Sequence, residues 1–215
     1  MKIIIGHSSM DPDCIGSMVL ARYLYPGYLP VKSRLMRPVA RNIYNLYKSR
    51  LDFLTTADIK GRDVEAVVVV DTRSMGRVKE FLECFDTEKA SFEVWDHHGQ
   101  EPSDIPGAVL RRGECGANTT LLALELMRRG TPIVPDDATI ALTGIYADTG
   151  NFTHGDVTKE DFEAARFLLE QGASLRLVKN FLAGLKEEYQ TGLFHEFLSR
   201  LIFENINGHS VILCY

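Results

Sequence analysis

The apolar run SFEVW (residues 91–95) gives way to Asp96, His97 and His98, a carboxylate and two adjacent imidazoles. A strand ordinarily ends on Gly, Asn or Ser, so this ending suits a chain that has something to grip. Two other apolar runs end in a similar way. KIIIG (2–6) is followed by His7, Asp11 and Asp13, and AVVVV (66–70) by Asp71. Further along, the helical pattern ATIALTGIYADTG carries Asp148 near its end. A lone Asp in such a place is most often a turn residue or a helix cap, and a lone His is most often a surface or satisfied core residue. Three strand ends doing the same thing outweigh those readings. Aspartates gathered without counter-charge repel one another, so the set calls for cations. Carboxylate with imidazole suits Mn²⁺ or Fe²⁺, whereas an all-oxygen set suits Mg²⁺.

The elements that must position these residues alternate. KIIIG, YLPVKS, EAVVVVD, SFEVW and GAVLRR read as strands. Between and after them, helical spacing runs through CIGSMVLARYLY, PVARNIYNLYKSRL, MGRVKEFLECF, GANTTLLALELMRRG, PDDATIALTGIYADTG and TKEDFEAARFLLEQG. The last of these opens on a Thr158/Asp161 capping pattern. Four valines in a row suit a central parallel strand covered on both faces. The predicted fold is therefore α/β, a mainly parallel sheet with helices on both faces, followed by a helical arm. The arm is read from SLRLVKNFLAGL and EEYQTGLFHEFLSRLIF, and HSVILCY is read as a final strand without an evident partner. In a parallel sheet, ligands bind beyond the carboxyl ends of the strands, which is where the acidic residues and histidines fall.

Composition narrows the partners. The 215 residues carry a formal charge of −5, so no global basic field draws in nucleic acid. A phosphate-bearing substrate has to be held by local features. Arg73 and the pair Arg111/Arg112 are the candidates, against the ordinary reading of exposed arginines as solvated. Gly16 and Ser17, early in a helix, either offer backbone N–H groups to an anion or allow tight packing. Cys14, Cys84, Cys115 and Cys214 are scattered, without a C-x-x-C pair, which argues against a zinc ribbon or a disulfide framework. No apolar run approaches the ~20 residues of a membrane helix, and the expected location is the cytoplasm.

Four stretches in order, GHSSMDPDCIGS (6–17), VVVVDTRS (67–74), DHHGQ (96–100) and ADTGNF (147–152), resemble the motifs of the DHH phosphoesterase family. The resemblance covers roughly residues 1–170. It implies a manganese-dependent hydrolase with two divalent ions, Mn²⁺ first and Mg²⁺ or Fe²⁺ as alternatives. His7, Asp11 and Asp71 would hold one ion, and Asp13, Asp71, His97 and Asp148 the other, with Asp71 bridging. Four carboxylates then offset two divalent cations. Strand alternation would keep His98 from the ion that His97 binds. The resemblance gives His98 a role at the substrate phosphate, as donor or acid, and Arg73 is a further expected substrate contact. Asp71 and His98 are the expected catalytic pair, and Asp96 would orient an imidazole.

The resemblance implies phosphodiester or phosphomonoester hydrolysis in nucleotides or short oligonucleotides. A pyrophosphatase-like activity and a non-catalytic nucleotide-sensing module of a larger RNA-processing protein are the alternatives. The glycine- and histidine-rich motif of the family's second domain does not appear. The expectation is thus a catalytic domain at 1–172 and, at 173–215, a helical linker and the start of another domain. Such a chain resembles the front module of a poly(A) polymerase or tRNA nucleotidyltransferase-like protein, its site completed by a further domain or partner chain.

Overall fold

Ile3, Ile4 and Ile5 are fully buried and Val67 to Val70 nearly so, because their strands lie in the middle of a sheet covered on both sides. The computed structural model describes residues 1–99, 101–183 and 196–213. Residues 1–181 form one unit, and the segment from Leu182 onward belongs to a second.

In the first unit, β1 (Lys2–Ile5), β3 (Leu29–Val31), β5 (Ala66–Val70), β6 (Ser91–Asp96) and β7 (Val109–Arg112) make one sheet in the order β3-β1-β5-β6-β7. All its pairings are parallel. The direction of winding reverses between β1 and β5, which opens a crevice at their carboxyl ends. On one face, α5 (Met75–Leu82) inserts Val78 and Phe81 against Ile3, Ile5, Val67, Val69, Phe92 and Val94. A layer of α1 (Pro12–Leu24), α6 (Asn118–Arg128), α7 (Pro135–Asp148) and α8 (Lys159–Glu170) packs together, with α1 also against β1 and β5. The α/β fold with helices on both faces is as expected.

Two glycines set how closely this layer closes. A Cβ on Gly16 would lie 3.2 Å from Ala141 Cα, and one on Gly144 3.0 Å from Asp13 Cα. Gly16 therefore serves helix packing, the second of the two readings open to it. Gly144 lets α7 press against the start of α1, which carries Asp13. The Thr158/Asp161 capping box forms as predicted. The buried Asp161 carboxylate also accepts bonds from Gly116 N–H at 2.9 Å and Thr120 Oγ1 at 2.6 Å.

Several local features differ from the expectations. The helix expected through Pro38 to Leu51 breaks at Tyr47 (φ −106°, ψ 16°) into α2 (Pro38–Leu46) and α3 (Lys48–Leu51). A one-turn helix, α4 (Thr56–Ile59), and a pair of two-residue strands, β2 (Ser9–Met10) and β4 (Leu35–Met36), are too short to leave a periodic signal. The helix α9 (Leu175–Ala183) buries Val178 and Phe181.

The helix expected through Glu187 to Phe203 needs correction at its end, since residues 184–195 lie outside the described chain and a strand begins at Ile202. That strand, β8 (Ile202–Ile206), pairs antiparallel with β9 (His209–Leu213). The final strand therefore has a partner, reached through Asn207 and Gly208, both at positive φ (54° and 85°). Asn-Gly between two apolar runs favours a tight hairpin turn, and that signal was the one to weigh.

Candidate metal centre

Asp71 stands at the crevice, directly after β5. Its φ of +61° is unusual for a residue with a side chain. The conformation is held by its N–H, which donates to Trp95 O at 2.9 Å. The turn directs a carboxylate that is only 3% exposed between two histidines. His7 Nε2 lies 3.2 Å from one of its oxygens and His97 Nε2 3.7 Å from the other. Asp11, the N-cap of α1, accepts from Cys14 N–H at 3.1 Å and brings its second oxygen within 3.5 Å of His7 Nε2. Asp148, the last residue of α7, sits 3.4 Å from His97 Nε2.

Asp13 is fixed from across the chain. The first backbone N–H groups of α6 point at it, Asn118 to Oδ2 at 2.7 Å and Thr119 to Oδ1 at 3.0 Å. A helix start is a favourable place for an anion. All six predicted ligands, His7, Asp11, Asp13, Asp71, His97 and Asp148, therefore converge. Asp13, His97 and Asp148 place ligand atoms within 4.8 Å of one another, as do His7, Cys14 and Asp71.

The donor chemistry fits divalent cations. His7 Nε2 and His97 Nε2 are buried and have no hydrogen-bond partner, although carboxylates surround them. His97 Nδ1 lies 3.0 Å from Cys115 O, so the ring proton belongs on Nδ1 and the Nε2 lone pair faces the carboxylates. This is the arrangement expected of a ligating imidazole. At His7, Ser9 N–H approaches Nδ1 across a long 3.3 Å. A ring that ligates through Nε2 carries its proton on Nδ1 and gives that contact up.

The electrostatics agree. Burial, then the charges of Asp13 and Asp11, push the Asp71 carboxyl well above its ordinary value. Burial raises Asp13 as well, and burial with the charge of Asp13 lifts Asp148 to about 7. At Asp11, burial is outweighed by the neighbouring His7 ring, the Cys14 N–H and the charge of Arg37, and its pKa falls. Cations among these groups would reverse the upward shifts.

The sign for the metal-free chain follows. Carboxyls raised in the native state bind protons more tightly there than in the unfolded chain, so their contribution to stability falls as pH rises. For Asp148 that loss runs from about pH 4 up to about 7. Thermal melts in EDTA are expected to give a lower Tm at pH 7.5 than at pH 5. Asp148→Asn is expected to flatten the dependence, and Mn²⁺ to restore Tm at the higher pH. A metal-free Tm that climbs over this range would contradict the assignment.

The remaining predicted residues form a second cluster. His98 Nδ1 pairs with Asp96 Oδ1 at 2.7 Å, and this bond raises its pKa. The expectation that alternation sends the two imidazoles apart is not met. β6 ends at Asp96, and the His97 and His98 rings lie 4.2 Å apart, tilted by 53°. Arg73 is turned toward the loop, donating to His98 O and to Gly99 O (3.0 Å), pairing with Glu101 and approaching Asp96 at 3.8 Å. These bonds make it a brace for the loop that carries His98. Arg111 pairs with Glu93 at 2.9 Å on the edge strand.

Sequence reasoning missed two participants. His154 Nδ1 lies 2.9 Å from Asp148 O, with no motif to mark it. Cys14 sits against the centre as a thiol, its pKa raised by burial and by the charges of Asp71 and Asp11. The position of Cys14, in the first turn of the helix capped by Asp11, was the available signal. Beside His97 and His98 a cleft of 490 Å³ opens, lined also by Glu114, Asp156 and Thr158.

Fold and site together define an α/β protein with carboxylates and imidazoles gathered at the switch point of its sheet. The DHH family, N-terminal domain, matches residues 2–145, and the chain belongs to that family. It is 32% identical over its whole length to an A-adding tRNA nucleotidyltransferase of Geobacter sulfurreducens, of which it spans 24%. It is 30% identical to a probable manganese-dependent inorganic pyrophosphatase of Staphylococcus epidermidis, with 77% of this chain and 53% of that protein aligned. An exopolyphosphatase-related protein from Bacteroides fragilis has the same fold, with a TM-score of 0.75 at 20% identity, covering 93% of this chain and 61% of that one.

Proposed function

We propose that the chain is a metal-dependent phosphoesterase that cleaves phosphoester bonds in nucleotides or short oligonucleotides. The observation that carries this is the pair of buried, unpartnered imidazole nitrogens, His7 Nε2 and His97 Nε2, on either side of the Asp71 carboxylate. His7, Asp11 and Asp71 hold one divalent ion, and Asp13, Asp71, His97 and Asp148 a second, with Mn²⁺ the first choice for this donor set. Two such ions lower the pKa of water and neutralise charge on a phosphoryl group.

The residues around them do the orienting. Cys115 O sets the His97 tautomer, the start of α6 fixes Asp13, and Asp96 holds His98 at the mouth of the cleft. His98 Nε2 is then free to donate a proton to a substrate phosphate or leaving oxygen. The cleft is within the ~300–1,000 Å³ of small-molecule sites. The unit of residues 1–181, which includes α9, acts as the catalytic domain. Among the described residues, no helix is long and apolar enough to cross a membrane, and the cytoplasm is the proposed location.

Metal-stripped protein reloaded with Mn²⁺ should bind two ions per chain and release product from a 5′-labelled dinucleotide. Inorganic pyrophosphate, the substrate in the name of one relative, is run in parallel. Faster turnover of pyrophosphate would make that the substrate. Two bound ions with no turnover of either would leave a nucleotide-sensing module.

A further inference from the structure

Arg111 and Arg112 have no place in the proposed chemistry, yet they are not isolated. They line a groove of 680 Å³ between the edge strand β7 and helix α6, together with Arg128, Arg129, Glu93 and Glu125. Four guanidiniums face two carboxylates there, a local positive excess within a chain of net charge −5. The excess is thus not the by-product of a generally basic surface.

The groove also has a direction. At one end, Arg112 stands opposite Asp96 in the sheet register, one residue before the His97–His98 pair. The same end of α6 holds Asp13 through Asn118 and Thr119. At the other end of α6, about 15 Å away at 1.5 Å per residue, stand Arg128 and Arg129. The arginine-lined groove therefore starts beside the end of β6 that precedes the centre and runs along the edge of the sheet.

The guanidiniums can be redirected. Arg111 pairs with Glu93 at 2.9 Å, and Arg128 and Arg129 share Glu125 at 2.6 and 2.7 Å, but Arg111 and Arg128 remain 57% and 70% exposed. The guanidiniums are the exposed partners of these pairs, and an exposed cation gains little from one fixed pairing, so each can also reach a phosphate in the groove. Guanidinium matches phosphate oxygens with two parallel bonds.

We propose that this groove binds the sugar-phosphate backbone of a single-stranded oligonucleotide whose reacting bond lies at the centre. The inference rests on the phosphoesterase reading, because a polyanion that continues from a phosphoester site is a nucleic acid strand. It narrows the substrate class to strands long enough to leave the cleft.

The test is fluorescence anisotropy with a labelled single-stranded RNA 12-mer in EDTA, so that binding is read without hydrolysis. The double variant Arg111→Gln/Arg128→Gln is compared with wild type and with Lys60→Gln/Arg62→Gln, two exposed cations on another part of the unit. The groove variant is expected to bind roughly tenfold more weakly. Its plot of log affinity against log salt should be shallower by about 1.4, at about 0.7 per phosphate contact on a single strand. Unchanged affinity and slope, or an equal loss in the Lys60/Arg62 control, would overturn the proposal. A chain that binds the strand through these arginines but turns over no phosphoester would refute the phosphoesterase reading and keep the groove as a strand-binding surface.

Discussion

Asp71→Ala is expected to lower turnover by about 10³-fold or more and to remove at least one of two bound Mn²⁺ ions. Loss of a single preorganised charge-stabilising group in an active site already costs about 10²–10³, and this carboxylate lies within 3.2 and 3.7 Å of both unpartnered imidazoles. One of its oxygens faces His7 and the other His97. Burial and the charges of Asp13 and Asp11 already disfavour the ionised Asp71. Its removal relieves that repulsion in the metal-free chain. Asp71→Asn keeps the shape, and Asn tolerates the positive φ better than Ala. Calorimetric Mn²⁺ titration and turnover are measured on both variants. Two tightly bound ions or near-normal turnover in either would end the bridging assignment.

The second large effect is expected at His98, with the opposite signature. His98→Ala should keep both ions and lose about 10²–10⁴ in turnover, the range for a positioned proton donor. The side chain is 48% exposed at the cleft, and its Nδ1 is committed to Asp96. That bond raises the pKa of His98 and so favours the protonated, donating ring. Asp96→Asn should produce a smaller loss, because Arg73 continues to hold the loop through His98 O and Gly99 O. If His98→Ala instead sheds an ion, His98 is a ligand. The nearness of its ring nitrogen to Asp71 and His97, all within 4.8 Å, gives that outcome a structural basis.

Several ligand positions were legible because they follow hydrophobic runs that read as buried strands, and parallel strands end on one rim, whereas Asp148 closes a helical pattern. Val67 to Val70 announced Asp71, and Ser91 to Trp95 announced the Asp-His-His triplet. Orientation was not legible. Alternation applies within a strand and lapses at Asp96, so the tilted contact of His97 with His98 depended on a loop braced by Arg73, 23 residues earlier than Asp96 in sequence. The grip of Asn118 and Thr119 on Asp13 joins residues more than 100 positions apart through backbone N–H groups, which no residue type reveals. In the second unit, helical spacing read on to Phe203, yet after the helical residues 196–199 a strand begins at Ile202 and turns back at Asn207-Gly208.

The left-handed backbone at Asp71 has an evolutionary consequence. Folding alone favours another residue there: glycine adopts φ near +61° without penalty, and it buries no charge. Random drift under selection for stability alone would thus erode this carboxylate among the first. Position 71 is therefore a register of use across descendants of this fold. Lineages that still handle the ions keep an acid there against a steady thermodynamic pull, and lineages that have abandoned them should show Gly or Asn at 71 while the valines before it persist.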